Sequence, residues 1–329
     1  MKSRIAYFDF LRGLAIIMVV GIHTYTLGKD SVVVRQLLNA AVPLFIAISG
    51  FFLSQKKMND RSDYISFITK QLPKVYYPAL VWSLPLYVLT LLSGESILKS
   101  TVLLIICGFS IYYFVAFIMQ CYIFLPVVNQ LNLSDKSKLS FWGGVIASCL
   151  ISFAWVAGVV YLNTVRGMGI SLICYAGPLP CWLMFFVIGV LVGRNSERQY
   201  PIVLPITITL IGISLSVIES NYLIALFGKG VGIKPSSFIY SAGMILLLFS
   251  RKTENLLTHA GFLYQCLIWI GSLSFGIYLI HCYFISFCVS RLPIDSWLLQ
   301  WFIALFLTVV FILILRKLFP TKYHKYLGI

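Results

Sequence analysis

Two of the residues best able to do chemistry in this chain sit on one apolar stretch. The segment Phe8 to His23 reads FDFLRGLAIIMVVGIH and carries Asp9, Arg12 and His23. Asp9 and Arg12 are three apart, so they can pair on one helix face. Arg12 and His23 are eleven apart. Eleven steps of 100° come within about 20° of three whole turns, so the two share a face, separated by a rise of about 16 Å. Burying charge in hydrocarbon costs about 2.5–3.5 kcal/mol on insertion scales. Read singly, Arg12 is a snorkelling anchor and His23 an interfacial or hydrogen-bonded structural histidine. Read together, they suit a ligand whose anionic end meets a guanidinium fork and whose reactive end meets a histidine base.

A second histidine closes the late segment Gly271 to His281, GSLSFGIYLIH, and Tyr278 shares its face. The plain reading of His281 is a structural histidine in a bundle; a depth matching that of His23 argues for function. Glu219, at the outer end of the seventh apolar stretch, is the leading acid to orient or charge-tune a histidine, against a solvated loop residue; Asp30, Glu95 and Asp295 are weaker alternatives. Ser49 and Gly50 are small residues of the kind that bring membrane helices close, and no nucleophile elbow surrounds Ser49. Lys70 and Lys74, i,i+4 neighbours ahead of Pro78, and Arg194 at the end of the sixth stretch are explained by topology; binding phosphate is their functional reading. Gln120 and Tyr122 are polar groups able to line or support a cavity. The 8 cysteines form no CxxC. Histidine, cysteine and carboxylate never fall at ligand spacing along the chain, so no metal is expected.

These side chains must be held by a membrane bundle. Of 329 residues, 60% are hydrophobic and 11% charged, with a mean hydropathy of +0.94. Soluble domains carry about 25% charged residues, which excludes a water-soluble globular protein; apolar stretches along the whole chain exclude a soluble domain on one anchor. Windows near 10–28, 38–54, 74–93, 111–131, 141–162, 176–194, 201–218, 236–250, 265–288 and 297–316 predict an all-α polytopic protein of about ten transmembrane helices. Residues 97–109 are apolar but short and read as a re-entrant or interfacial piece. Prolines at 85, 126, 178, 180 and 205 fall in or near spans, as membrane helices tolerate. The N-terminal run lacks an A-x-A-like cleavage site and reads as a retained first helix rather than a signal peptide.

The net charge of +15 could suit nucleic acid, but the positive residues fall in loops, where they orient membrane proteins. With ten spans, 17 Lys and Arg lie on the side of the termini and 7 on the other, Arg12 being within a span, so both termini are expected in the cytoplasm. No repeat or linker divides the chain, and residues 1–329 read as a single domain.

The residues resemble a known family. FDFLRGLAIIMVVGIH resembles the opening motif of the bacterial membrane-bound acyltransferase-3 family: an acid, then Leu-Arg-Gly, then a histidine eleven positions after the arginine. Val42 to Phe52 resembles its second-helix block and Lys70 to Pro78 its basic stretch, with Lys where Arg is common. Tyr112 to Pro126, Phe185 to Arg194 and Ser274 to His281 are similar to its fourth, sixth and late-helix blocks. The first and last blocks are the specific ones. The stretches near 201–218 and 236–250 match only in general character.

The resemblance implies transfer of an acyl group, mostly acetyl, from cytoplasmic acyl-CoA to a carbohydrate hydroxyl. The chain looks like the standalone O-acetyltransferase type, which modifies enterobacterial common antigen, exopolysaccharides or other envelope glycans in the bacterial inner membrane. Its partners would be acyl-CoA, a glycan or lipid-linked sugar and membrane lipids, without nucleic acid. Arg12, with Lys70, Lys74 or Arg194, would hold the donor phosphates, and His23 would act as base or as acyl-carrying nucleophile. Asp9 would hold Arg12, while His281 or Tyr278 would stabilise the oxyanion or orient the acceptor. The main rival is a carrier for a glycan precursor or small anion, which predicts two related halves with discontinuous helices. An O-acyltransferase of the other large membrane class, built around a late histidine such as His281, is a second rival, and a signalling or structural protein a third.

Overall fold

The computed structural model describes residues 2–25, 31–56, 58, 60–130, 138–194, 200–292 and 294–329, with the side chains of 2–4, 128–130 and 138–141 left aside. Asp30, and the topology charges Lys29, Lys57, Lys136 and Arg198, lie outside the described residues; so do the side chains of Lys2, Arg4 and Lys138. Among the described residues every regular element is a helix. This follows from the solvent: in hydrocarbon each backbone N–H and C=O must be satisfied within the chain, and a helix does so locally.

The first part of the chain forms α1 (Lys2–Thr24), α2 (Val32–Leu38), α3 (Ala41–Ser54), α4 (Arg61–Leu92), α5 (Ile97–Ile105) and α6 (Tyr113–Gln130). Next come α7 (Lys138–Val160), which ends in a π-helical turn over Tyr161–Val165, then α8 (Leu172–Ala176) and α9 (Leu179–Arg194). The last part holds α10 (Val203–Phe227), α11 (Pro235–Phe249), α12 (Arg251–Thr258), α13 (Gly261–Ser272), α14 (Ser274–Arg291), α15 (Trp297–Leu318) and α16 (Thr321–Leu327).

Among the described residues, eight helical stretches are long and apolar enough to cross a membrane. The chain is a multi-pass membrane protein. Two of the expected windows correspond to shorter apolar helices, α9 with 16 residues and α11 with 15. The window 265–288 is two helices, α13 and α14, that meet at Leu273. The short stretch 97–109 forms the nine-residue α5 and a sharp turn with Cys107 at φ 54 and Ser110 at φ 47; α5 is too short to cross.

Two helices run well past their apolar windows. α4 begins at Arg61, where Asp60 caps it by accepting from the Asp63 N–H at 2.8 Å. Lys70 and Lys74 are therefore mid-helix residues, not a loop before a span. α10 continues through Glu219 to Phe227 and stops at Gly228, whose left-handed φ of 65 suits a glycine C-cap. Glu219 is thus inside a helix, not at its end.

α1 is the hub. It lies against α13, α3, α14 and α15, and α3 in turn packs on α9. Two glycine contacts set these crossings. A Cβ on Gly13 would stand 2.0 Å from the Leu267 carbonyl oxygen, and one on Gly271 would stand 1.8 Å from that of Asp9, so only hydrogen fits where α1 crosses α13. Gly189 likewise meets the Ala47 carbonyl on α3, and Gly50 the Phe186 carbonyl on α9. Gly50, expected as a packing residue, has that place. Phe8, Phe51 and Phe249 interlock beside this junction, with ring centroids 4.1 Å apart for Phe8 and Phe51.

Candidate active site

A cavity of about 490 Å³ opens along α1 and is bounded by α3, α4, α6, α13 and α14. That is within the usual range for small-molecule sites. Asp9, Arg12, Val19 and His23 line it from α1, one stripe along a single helix. Ser49 lines it from α3, Tyr122 from α6, and Ser272, Ser274 and Tyr278 from either side of the α13–α14 junction.

At one end, Arg12 Nη1 donates to Asp9 Oδ1 at 2.8 Å. The Arg12 side chain is 35% exposed, and its guanidinium lies over the Phe52 ring at 4.9 Å. Guanidinium has five N–H donors, so pairing with Asp9 orients the fork and leaves donors for an anion.

At the other end, His23 occupies the last turn of α1 and is exposed to the cavity, while His281 is fully buried. Their ring centroids are 5.3 Å apart. His281 Nδ1 sits 3.0 Å from the Ile277 carbonyl and 2.8 Å from that of Tyr278. Two acceptors at one ring nitrogen assign the proton to Nδ1, which leaves Nε2 as a lone-pair acceptor. Neutral His281 is thereby suited to receive an N–H and fix the tautomer of a neighbour; it has no second N–H to offer an oxyanion. Tyr112 holds this part of α14 by donating to the Leu279 carbonyl at 2.7 Å. Cys282 Sγ lies 3.6 Å from His281 Nε2, so His23, His281 and Cys282 bring three ligand-type atoms together that no sequence spacing joins.

The remaining expected residues divide by position. The Tyr278 hydroxyl donates to the Ile111 carbonyl in the turn just before α6, which satisfies its proton inside the wall. Ser49 Oγ donates to the Phe45 carbonyl one turn back at 2.9 Å. Gln120 supports the wall without lining the cavity: its amide donates to the Gly177 carbonyl at 2.7 Å and accepts from the Leu179 N–H at 3.0 Å, which fastens α6 to the start of α9. Lys70 and Lys74 are exposed on α4 and do not line the cavity, though Val75, next to Lys74, does. Arg194 ends α9 and is not part of the lining either.

Glu219 is turned to α11, where it accepts from both the backbone N–H and the hydroxyl of Ser236. The fold does not bring it into the cavity wall. Glu95 pairs with Lys99 at 2.7 Å on the exposed α5, and Asp295 is exposed.

Reasoning from sequence missed Arg35, which it used only to count charge. Arg35 donates to Asn39 Oδ1 at 2.7 Å, lies over the Tyr25 ring at 5.9 Å, and is within electrostatic reach of His23 and of Tyr113 in the cavity wall. It also missed Lys234, completely buried in the connection before α11 and bonded to Gln36 Oε1, which accepts from Ser216 as well at 2.8 Å. Burial pushes the Lys234 ammonium down to about 7, against the pull of the Glu219 charge and with that of Arg35. Neither a short helix such as α2 nor the polar connection before α11 carries a sequence signal that its basic residue would be drawn inward.

The family profile described as an acyltransferase domain matches residues 5–317, nearly the whole chain and every wall of the cavity. The chain belongs to the acyltransferase-3 family. This membrane acyltransferase matches no curated protein and no solved structure.

Proposed function

We propose that this acyltransferase moves an acyl group, acetyl by preference, from acyl-CoA to a carbohydrate hydroxyl of an envelope glycan or glycolipid. One observation carries the reading: Arg12 and His23 line the same cavity from opposite ends of one helix face. Their helical rise of about 16 Å is comparable to the reach of an extended phosphopantetheine arm. Arg12, held by Asp9, meets a donor phosphate, with Lys70 and Lys74 flanking the approach along α4. The thioester then lies beside His23.

His23 removes the proton of the acceptor hydroxyl as that oxygen attacks the thioester carbonyl. The tetrahedral intermediate collapses with cleavage of the carbon–sulfur bond, and the imidazolium returns the proton to the departing CoA sulfur. His281, its ring centroid 5.3 Å from that of His23, is the neighbour whose free Nε2 can take the other N–H of His23 and keep its basic nitrogen towards the cavity. Arg35 sits on the acceptor side of His23. Ten spans, cytoplasmic termini and a bacterial inner-membrane location complete the proposal, with donor and acceptor entering from opposite faces.

The test is acetyl-CoA binding and transfer by detergent-purified protein. His23→Ala is expected to keep binding and lose transfer by about 10²-fold or more. Arg12→Ala is expected to weaken binding by about ten- to a hundredfold, the worth of one or two charge-assisted hydrogen bonds. Full transfer by His23→Ala overturns the mechanism. A folded wild type that binds no acyl-CoA overturns the donor, and the cavity then reads as a carrier's.

A further inference from the structure

We propose that His23, His281 and Cys282 form a binding site for a soft divalent cation of the Zn²⁺ class, placed so that the cation and the acceptor hydroxyl compete for His23. The competition rests on the function proposed above; the site itself rests on geometry alone.

One ligand atom from each of the three residues lies within 4.8 Å of the others. The His281 Nε2 to Cys282 Sγ separation is 3.6 Å. A tetrahedral ion with Zn–N near 2.0–2.1 Å and Zn–S near 2.3 Å holds a nitrogen and a sulfur about 3.6 Å apart. Two of the three ligands are therefore already at coordination spacing. The third, His23, is the one that lines the cavity, with its ligand atom within 4.8 Å of the other two.

His281 also has the outer support that metal-bound histidines require. Its Nδ1–H is fixed on the Ile277 and Tyr278 carbonyls, which aims the Nε2 lone pair into the cluster. The buried position of this ring fixes it in place before any ion arrives. Three protein ligands leave a fourth position, and because His23 alone of the three lines the cavity, that position is reached from its side, the pattern of an accessible rather than a closed site. One thiolate and two imidazoles favour Zn²⁺ over Mg²⁺ or Ca²⁺, which take oxygen. On binding, the Cys282 thiol loses its proton to solvent, so one Zn²⁺ displaces one H⁺, and the ion with its one thiolate and two neutral imidazoles carries one positive charge. Cys282 has no part in acyl transfer, so it separates the two roles.

The experiment titrates the purified full chain with Co²⁺, reading the thiolate-to-cobalt charge-transfer band and the visible bands of tetrahedral cobalt, then displaces Co²⁺ with Zn²⁺. Wild type is expected to bind one Co²⁺ per chain with a thiolate band. Cys282→Ala is expected to lose that band, to bind Zn²⁺ about tenfold or more weakly, and to keep metal-free acyl transfer. Zn²⁺ is expected to inhibit wild type at concentrations that leave Cys282→Ala active. Absence of a thiolate–cobalt band in folded wild type overturns the site, as does an unchanged band in Cys282→Ala, which would assign it to another of the cysteines. If Zn²⁺ binds through Cys282 without slowing transfer, the site stands and the competition, with the base role of His23, falls. If transfer needs His23 and no cation binds, the proposed function stands and the metal site falls.

Discussion

Replacing Gly271 with alanine tests the architecture of the site without touching a group that does chemistry. The added Cβ would stand 1.8 Å from the Asp9 carbonyl oxygen and 3.0 Å from the Gly13 backbone nitrogen. Both neighbours are backbone, so no side chain can swing aside. The α1–α13 crossing must open by about 1.5 Å to restore an ordinary contact. Overpacking of this kind costs about 1–3 kcal/mol. The larger effect is geometric. α1 carries Asp9, Arg12 and His23, while α13 leads directly into the helix bearing His281. Opening the crossing moves His23 away from His281, and a displacement of about 1 Å can cost about 10²-fold in rate.

Gly271→Ala is therefore expected to lower the melting midpoint in detergent and to slow acyl transfer by about 10²-fold, with acyl-CoA binding reduced less than the rate. Gly158→Ala on α7 is the matched control. A Cβ there meets nothing within 4 Å, and Gly to Ala inside a helix is worth about 0.5–1 kcal/mol in favour of alanine. It should melt no lower than wild type and transfer at the wild-type rate. Wild-type melting and transfer in Gly271→Ala would refute the crossing and with it the pairing of the two histidines.

Further outcomes follow from other contacts. Gln120→Ala leaves the Gly177 carbonyl and the Leu179 N–H without their partner and should cost about 1–3 kcal/mol, read by thermal or chemical unfolding, with acyl-CoA affinity little changed. Tyr278→Phe removes a hydroxyl that already donates to Ile111, so transfer should fall by less than about tenfold while stability drops by about 1 kcal/mol; a loss of 10³-fold in turnover at unchanged stability would instead assign that hydroxyl to the oxyanion. Between about pH 7 and the ordinary lysine value of 10.5, the folded protein holds fewer protons on Lys234 than the unfolded chain does. Stability should thus climb with pH across that window. Lys234→Met should flatten the climb, and identical stability–pH curves for the two proteins would show that Lys234 titrates normally.

The fold class and the stripe on α1 were legible in the sequence because both are local: composition reports the solvent, and an eleven-residue spacing reports a face. Helix ends were not. α4 continues back to Arg61 through polar residues that a hydropathy window discards. α10 runs on past Ile218 because Glu219 and Ser220 find partners in Ser236 and the Gly230 carbonyl, so their polarity does not end the helix. The break at Leu273 was hidden because Ser272 and Ser274 interrupt an apolar run too briefly to register. The depth match of His23 and His281 could be suggested from parity, but their meeting, with Cys282 beside them, depends on Gly13 passing the backbone at Leu267 and Gly271 passing it at Asp9, at opposite ends of the chain. Gln36, Asn39 and Lys234 join the α2 region to the α10–α11 connection, and no single window contains them.

The length of α4 has a consequence for where the protein meets water. Its 32 residues make a rod about 48 Å long, set against a hydrocarbon layer about 30 Å thick. To hide the whole rod the helix would have to lean by about 50°, beyond the 0–40° range of membrane helices. From about six residues at a 40° lean to about twelve if the helix stands upright must therefore lie clear of the hydrocarbon, and the charged end from Arg61 is the one that can. Lys70 and Lys74 then fall at the waterline, at phosphate height among the lipid headgroups, and the turns before them form a solvated stub that a protease or a thiol label can reach without entering the bilayer.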